Sequence, residues 1–290
     1  MRWLITGAGG QVGRELDEIL GAAPHHQVLA LRHTELDIAD RELALQICGE
    51  WAPQVIINAA AFTDVDACEQ QLDKAYAVNA LGPRNLAEGA RLAGAHLVHI
   101  STDYVFDGES PAPYVEWDEP RPMSVYGRSK LAGEREVLSL LPGSAVVRTS
   151  WLCGRYGANM VKTILRLAEG TRAMRFVDDQ KGCPTFADDL AAMVVRLAVA
   201  RAPGVFHVTN QGATTWFGFA RDVLSAAGQD PERVQPIATA DLDPPRPARR
   251  PANSVLDNAA LRLLGLPLLD PYHVPLERTA KYLLPAAPST

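Results

Sequence analysis

The sequence predicts a doubly wound parallel α/β sheet carrying a smaller α/β lobe. Three observations point there. Five apolar strand segments alternate with helical segments over the first 150 residues. A glycine turn, Gly7-Ala8-Gly9-Gly10, follows the first strand directly. Beyond residue 150 the alternation loses its regularity, as a second and less uniform unit would show. At 290 residues the chain suffices for one large domain or two modest ones.

Each element has a local reason. Residues 3–6 are a short apolar strand, and 11–20 carry Val12, Leu16, Ile19 and Leu20 at helical spacing. Residues 28–31 form a second strand, and the helix over 42–51 is stopped by Pro53. Residues 55–58 are the third strand. Residues 74–93 read as one long helix despite Gly82-Pro83 in its middle. The fourth strand, 96–100, runs into Ser101-Thr102-Asp103. Residues 129–141 are a helix closed by Pro142-Gly143, and 145–148 the fifth strand. Right-handed crossovers then wind helices onto both faces of the sheet. The proline-rich run 243–251 reads as extended or looped chain, and the low-complexity tail is confined to 285–290.

Composition narrows the function. Hydrophobic residues make up 47% and charged residues 21%, ordinary globular usage. A net charge of −6 gives no broad electrostatic footprint for nucleic acid, while a local basic pocket for a small anion remains open. Cys48, Cys68, Cys153 and Cys183 form no C-x-x-C pair, which fits a reducing compartment. The N-terminal apolar run is too short for a signal peptide, and no stretch approaches a spanning helix. The expectation is a cytoplasmic protein with no membrane partner, monomeric or homodimeric.

The motifs carry the chemistry. Gly7, Gly10 and Gly13 stand three apart between a strand and a helix. That spacing allows a tight turn, close approach of a pyrophosphate and a helix N-terminus facing its charge; a plain strand-to-helix turn is the blander alternative. The second strand ends on Arg32, where NAD-preferring folds place an acid for the ribose hydroxyl. An arginine there suits a 2′-phosphate, hence NADPH ahead of NADH, unless it is simply a solvated surface residue. Asp37 and Ile38 are candidate adenine contacts. Tyr126 and Lys130 lie at i and i+4, on one helical face. The lysine ammonium is expected to lower the phenol pKa, giving an acid for a carbonyl oxygen, and to reach the cofactor ribose. Thr102, on the preceding strand, would polarise the same carbonyl. Arg246, Arg249, Arg250 and Lys162 are candidates for a diphosphate, weighed against an ordinary charged surface. Trp117 and Trp216 read as packing, His99 as a core histidine and Cys183 as structural.

These residues make the chain similar to the extended short-chain dehydrogenase/reductase superfamily. Within it the resemblance is to the dTDP-4-dehydrorhamnose reductases. It rests on Gly7 to Gly13, Asn58-Ala59-Ala60-Ala61, Val78-Asn79, the run from Ser101 to Gly108 and the run from Val125 to Glu134. Arg148-Thr149-Ser150-Trp151, the run from Asp179 to Thr185 and the run from Arg250 to Asp257 add the 4-keto reductase signature.

The resemblance implies a Rossmann NAD(P)-binding domain over 1–150, with part of 176–210 returning to it. It implies a mainly nucleotide-sugar-binding domain over 151–290. Thr102, Tyr126 and Lys130 would be catalytic. Gly7, Gly10, Gln11, Val12, Arg32, Asp37, Ile38, Ala61, Phe62 and Thr63 would hold the cofactor together with Tyr126 and Lys130. Thr102, Asp103, Trp151 and Arg250 would meet a dTDP-sugar, with the Trp151 face against the 6-methyl group. The implied reaction is NADPH-dependent reduction of the C4 ketone of dTDP-4-dehydro-L-rhamnose, the last step of dTDP-L-rhamnose synthesis. Some relatives bind Mg²⁺ through glutamates at a dimer interface; Glu15 matches one ligand and the sequence supplies no match for the others. An epimerase or another 4-keto-deoxysugar reductase of the same fold, and a silent NADP-binding regulatory subunit, are the alternatives. The Asp103-Tyr104 that follows Thr102 argues against a dehydratase.

Overall fold

A computed structural model describes residues 1–170 and 172–284; the tail expected over 285–290 lies outside them. The elements are β1 (Arg2–Thr6), α1 (Gln11–Gly21), β2 (Gln27–Leu31), α2 (Arg41–Trp51), β3 (Val55–Asn58), α3 (Val65–Gln70), α4 (Leu72–Tyr76), α5 (Gly82–Ala93), β4 (His96–Thr102), α6 (Val125–Leu140) and β5 (Ala145–Thr149). They continue with β6 (Leu152–Cys153), α7 (Met160–Ala168), β7 (Met174–Val177), β8 (Lys181–Gly182), β9 (Thr185–Phe186), α8 (Ala187–Ala200), β10 (Gly204–His207), β11 (Thr214–Thr215), α9 (Trp216–Ala226), β12 (Val234–Ile237), α10 (Ala259–Leu263) and α11 (His273–Leu283).

Six parallel strands form one sheet in the order β2-β1-β3-β4-β5-β10. Side chains alternate across it. Trp3 and Ile5 face one side with Val12, Leu16, Leu190, Val194 and Leu197, under α1 and α8. Leu4 faces the other with Ile56, Leu97, Val146, Ala87 and Val137, under α2, α5 and α6. Both faces are thus covered, which is why β3 and β5 are buried along their whole length. The strand order reverses between β1 and β3. In sheets of this kind the crevice beyond the strand ends at that point takes the ligand.

A second hydrophobic cluster is built by Val161 and Ile164 of α7, Phe219 and Val223 of α9, Val234 of β12 and Leu276 of α11. The parallel pair β7–β12 and the short pairs β6–β9 and β8–β11 complete this lobe. The chain from 243 to 251 forms neither helix nor strand. Among the described residues no helix is long and apolar enough to cross a membrane.

Two helices differ from expectation. The catalytic-side helix α6 starts at Val125, four residues before the periodicity shows it. Ser124 Oγ caps it by accepting from Gly127 N at 3.1 Å, and Glu69 Oε1 accepts from Val125 N at 2.8 Å. The segment expected over 74–93 is helical from Leu72 but passes through a π-turn at Ala77–Leu81. Pro83 has no N–H for the carbonyl of Asn79, four residues back, and the wider turn absorbs the mismatch. The freed Asn79 carbonyl faces α6 so closely that a Cβ on Gly133 would lie 2.1 Å from it.

Candidate active site

The chain reverses out of β1 at Gly7, in left-handed backbone (φ +72°). A side chain there would meet Ala59 and Ala60 at 2.6 Å, and one at Gly13 would meet the Gly7 carbonyl at 2.2 Å. These two glycines let β1, β3 and α1 converge. No side chain caps α1, and its first turn holds no acidic residue. Its leading N–H groups are therefore available to a phosphate. Gly7, Gly10, Gln11, Val12, Asp37, Ile38, Ala61 and Thr63 line one continuous cavity of about 740 Å³ at this point. That lining fits a dinucleotide.

The loop that carries Ala61 to Thr63 is pinned by the π-turn. Asn79 Oδ1 accepts from Phe62 N at 2.8 Å, and Asn79 Nδ2 donates to Phe62 O at 3.0 Å and to Ser129 Oγ of α6 at 3.1 Å. One asparagine thus ties the cofactor-side loop to the helix bearing Tyr126 and Lys130. Below it Asn58 Oδ1 accepts from Thr6 Oγ1 at 2.8 Å, and Asn58 Nδ2 meets His99 Nδ1 at 3.0 Å. His99 is a buried core histidine whose pKa burial drives well below the ordinary range.

Thr102, Asp103, Tyr126, Lys130 and Trp151 line the same cavity. Lys130 is 2% exposed and its Nζ donates to the Ile100 carbonyl at 2.6 Å. Burial pulls its pKa down to about 8, against the opposing pull of Glu134. The expected lowering of the Tyr126 pKa is corrected. Burial raises it above the usual phenol range, with Asp103 and Tyr104 pushing the same way and the Thr102 hydroxyl pulling it down. The ammonium is turned to a backbone carbonyl, and the phenol is held protonated. Thr102 Oγ1 accepts from Tyr104 N at 3.2 Å and donates to Asp103 Oδ1 at 2.9 Å. The other Asp103 oxygen is buried without a partner. Burial pushes this carboxyl up to about 6, while Ser254 and Thr102 pull it down. A protonated phenol, a hydroxyl and a buried ammonium around one cavity can deliver a proton to a carbonyl oxygen.

Three expected residues stand outside the lining. Arg32 lies beside the glycine turn, where a Cβ on Gly9 would sit 3.7 Å from its Cγ, and His33 lines the cavity instead. The Phe62 ring packs away from it, beneath the Lys74 ammonium (4.5 Å) and with Cys68 and Tyr126. Arg250 is held by Asp66 at 2.5 and 2.8 Å, and the same carboxylate also pairs with Arg246 at 3.3 Å. Those arginines hold the Asp66 carboxyl down at about 2. Lys162 is occupied by the carbonyls of Arg155 and Gly157 at 2.7 and 3.0 Å, and Arg249 is exposed. Glu15, 1% exposed, is gripped by Arg155 at 2.6 and 2.9 Å. Within this one chain no cluster of three metal-ligating side chains occurs among the described residues.

The cavity also takes in Tyr104, Thr149 and Trp216. Tyr104 packs edge-on to the Tyr126 ring at 5.6 Å. Trp216 corrects the reading of packing alone. It lies flat on Trp151, with ring centroids 3.6 Å apart and planes within 5°. Trp117 is 65% exposed. Tyr104 lies within the run from Ser101 to Gly108, which by itself assigns it no contact. Trp216 had no spacing signal, since only strand register brings it to the site.

The model of the RmlD substrate binding domain matches residues 1–284. A dTDP-4-dehydrorhamnose reductase of Mycobacterium tuberculosis is 45% identical over 271 residues, 91% of this chain and 88% of the relative. A probable dTDP-4,6-dihydroxy-2-methyloxan-3-one 4-ketoreductase of Streptomyces antibioticus is 44% identical over 93% of this chain and 92% of its own length. The crystal structure of a dTDP-4-dehydrorhamnose reductase from Bacillus anthracis, in complex with NADP, superposes with a TM-score of 0.92 at 40% identity. The match covers 96% of this chain and 98% of that one.

Proposed function

The chain belongs to the RmlD substrate binding domain family, and on that premise we propose that it reduces the C4 ketone of dTDP-4-dehydro-L-rhamnose to dTDP-L-rhamnose with NADPH. The observation that carries this is a single cavity lined by a dinucleotide turn at one end and by Thr102, Tyr126 and Lys130 further along. Membership of the family and the 45% identical reductase supply the sugar.

NADPH, when bound, supplies the hydride. The chain supplies position and the proton. Gly10, Gln11 and Val12 present the α1 N-terminus to the pyrophosphate, and Arg32 beside Gly9 favours the 2′-phosphate. Tyr126, kept protonated by burial, gives its proton to the sugar O4. Lys130 holds a positive charge beneath the reacting centre and reaches the cofactor ribose. Thr102 hydrogen-bonds the reacting oxygen by turning its one hydroxyl proton from Asp103 to the substrate, and Asp103 and Trp151 meet the sugar.

A second reading, reduction of a different dTDP-4-keto-deoxysugar, is favoured by the Streptomyces antibioticus relative. The assay offers dTDP-4-dehydro-L-rhamnose and NADPH and follows the nicotinamide absorbance. Stoichiometric loss of NADPH is expected. Turnover of the sugar without NADPH loss would indicate an epimerase and overturn the proposal.

A further inference from the structure

Trp151 and Trp216, 65 positions apart, both pack against the hydrophobic cluster of the smaller lobe. Trp151 follows β5 of the large sheet, and Trp216 is the first residue of α9 in the smaller lobe. Trp151 sits in left-handed backbone at φ +46°, a conformation a bulky side chain rarely adopts. Something must hold it there, and two neighbours do. The Trp216 ring covers one face of the indole at 3.6 Å. Gly182 approaches so closely that a Cβ would lie 2.5 Å from Trp151 Cε2 and Nε1.

Strand register makes the two neighbours one device. β8 and β11 pair antiparallel, with Thr214 opposite Gly182 and Thr215 opposite Lys181. The chain then turns straight into α9, capped by Thr215 Oγ1, which accepts from Gly218 N at 3.0 Å. Thr215 Oγ1 in turn donates to Asp178 Oδ1 at 2.6 Å. Behind the stack Phe219 meets Trp216 edge-on at 6.2 Å and Tyr272 backs Phe219 at 6.1 Å. Aromatic contacts therefore run without a break from the lobe's core to the cavity.

We propose that Trp216 is a positioning residue for sugar recognition: stacked on Trp151, it fixes that indole across the cavity, so the sugar end is read by Trp151 in an orientation set by the first residue of α9. The inference rests on the proposed reductase activity. It also revises the expected contact. One Trp151 face is already taken by Trp216, and the sugar is left the remaining surface of Trp151.

The test is a double-mutant cycle with Trp216→Leu, which keeps apolar bulk but no ring, and Trp151→Leu. Trp216→Leu should raise KM for the nucleotide sugar about tenfold, the order of one lost aromatic pair. Its kcat should stay within about twofold and its NADPH affinity unchanged, which also reports a folded protein. The exciton couplet of two parallel indoles in circular dichroism should vanish in either single variant. Trp216→Phe should lose the couplet yet restore most of KM. The double variant should be no worse than Trp151→Leu alone, because Trp216 acts through Trp151. Additive effects, an unchanged KM in Trp216→Leu, or a Phe variant no better than Leu would each overturn the inference. A wild type that consumes no NADPH would sink the activity itself, whereas an active wild type with additive variants sinks only the role of Trp216.

Discussion

Thr102 gives its single hydroxyl proton to Asp103 Oδ1, 2.9 Å away. The acceptor is 2% exposed, and no ion pair reaches it among the described residues. Burial moves its carboxyl from 3.8 up to about 6. The unfolded chain releases this proton near pH 3.8, so between there and about pH 6 the folded state binds more protons. Stability from this group is therefore full below pH 3.8 and lost as pH rises to about 6, by roughly 3 kcal/mol at about 1.4 kcal/mol per pH unit. Asp103→Asn escapes that loss. Its Tm relative to the parent should climb by several degrees between pH 4 and pH 7 and then level. A Tm difference that stays flat across this range contradicts the assignment.

Tyr126→Phe removes the proposed acid and leaves the ring packed against Tyr104. Turnover should fall by about 10²- to 10⁴-fold, with NADPH affinity measured by titration essentially unchanged. Retention of full turnover would show that another group delivers the proton.

Gly133→Ala drives a methyl to within 2.1 Å of the Asn79 carbonyl. Backbone cannot yield cheaply, so a loss of about 3 kcal/mol or more is expected. NADPH binding should weaken with it, because Asn79 also holds Phe62 and Ser129. Gly49→Ala is the contrasting case. Nothing lies within 4 Å of that Cβ, in the body of α2, and about 0.5–1 kcal/mol of added stability is expected. Chemical denaturation of both variants checks the pair.

Arg155→Ala strips buried Glu15 of its counter-charge, at a cost of about 3 kcal/mol. Treating the intact protein with a strong chelator should leave turnover within about twofold. A chelator-sensitive enzyme restored by Mg²⁺ would contradict the guanidinium as the partner of Glu15.

The sheet was legible because parallel strands buried on both faces are written as apolar runs, and because Gly7, Gly10 and Gly13 sit where the turn requires them. The start of α6 was hidden. Its first turn, Val125 to Arg128, mixes a glycine with an aromatic and a charged residue, and one of its leading N–H groups, that of Val125, is satisfied by Glu69 from a distant helix. Tyr126 and Lys130 were readable as a pair by spacing, yet the direction of the phenol pKa was not. Spacing gives proximity along the helix. The carbonyl of Ile100, on another strand, decides where the ammonium points. The pairing of Arg250 with Asp66, 184 positions away, is likewise set by the fold and not by any spacing.

The outer strand of the large sheet, Gly204–His207, is laid down only after the chain has visited the smaller lobe. Its four-residue pairing with β5, and the cover that α8 gives one face, make the last third of the sequence a structural creditor of the first. Shortening the protein at residue 150 would bare the β5 edge and uncover Ile5, Val98 and Val147. Ala187–His207 thus belongs to the large sheet, and any exchange of the smaller lobe has to leave that segment in place.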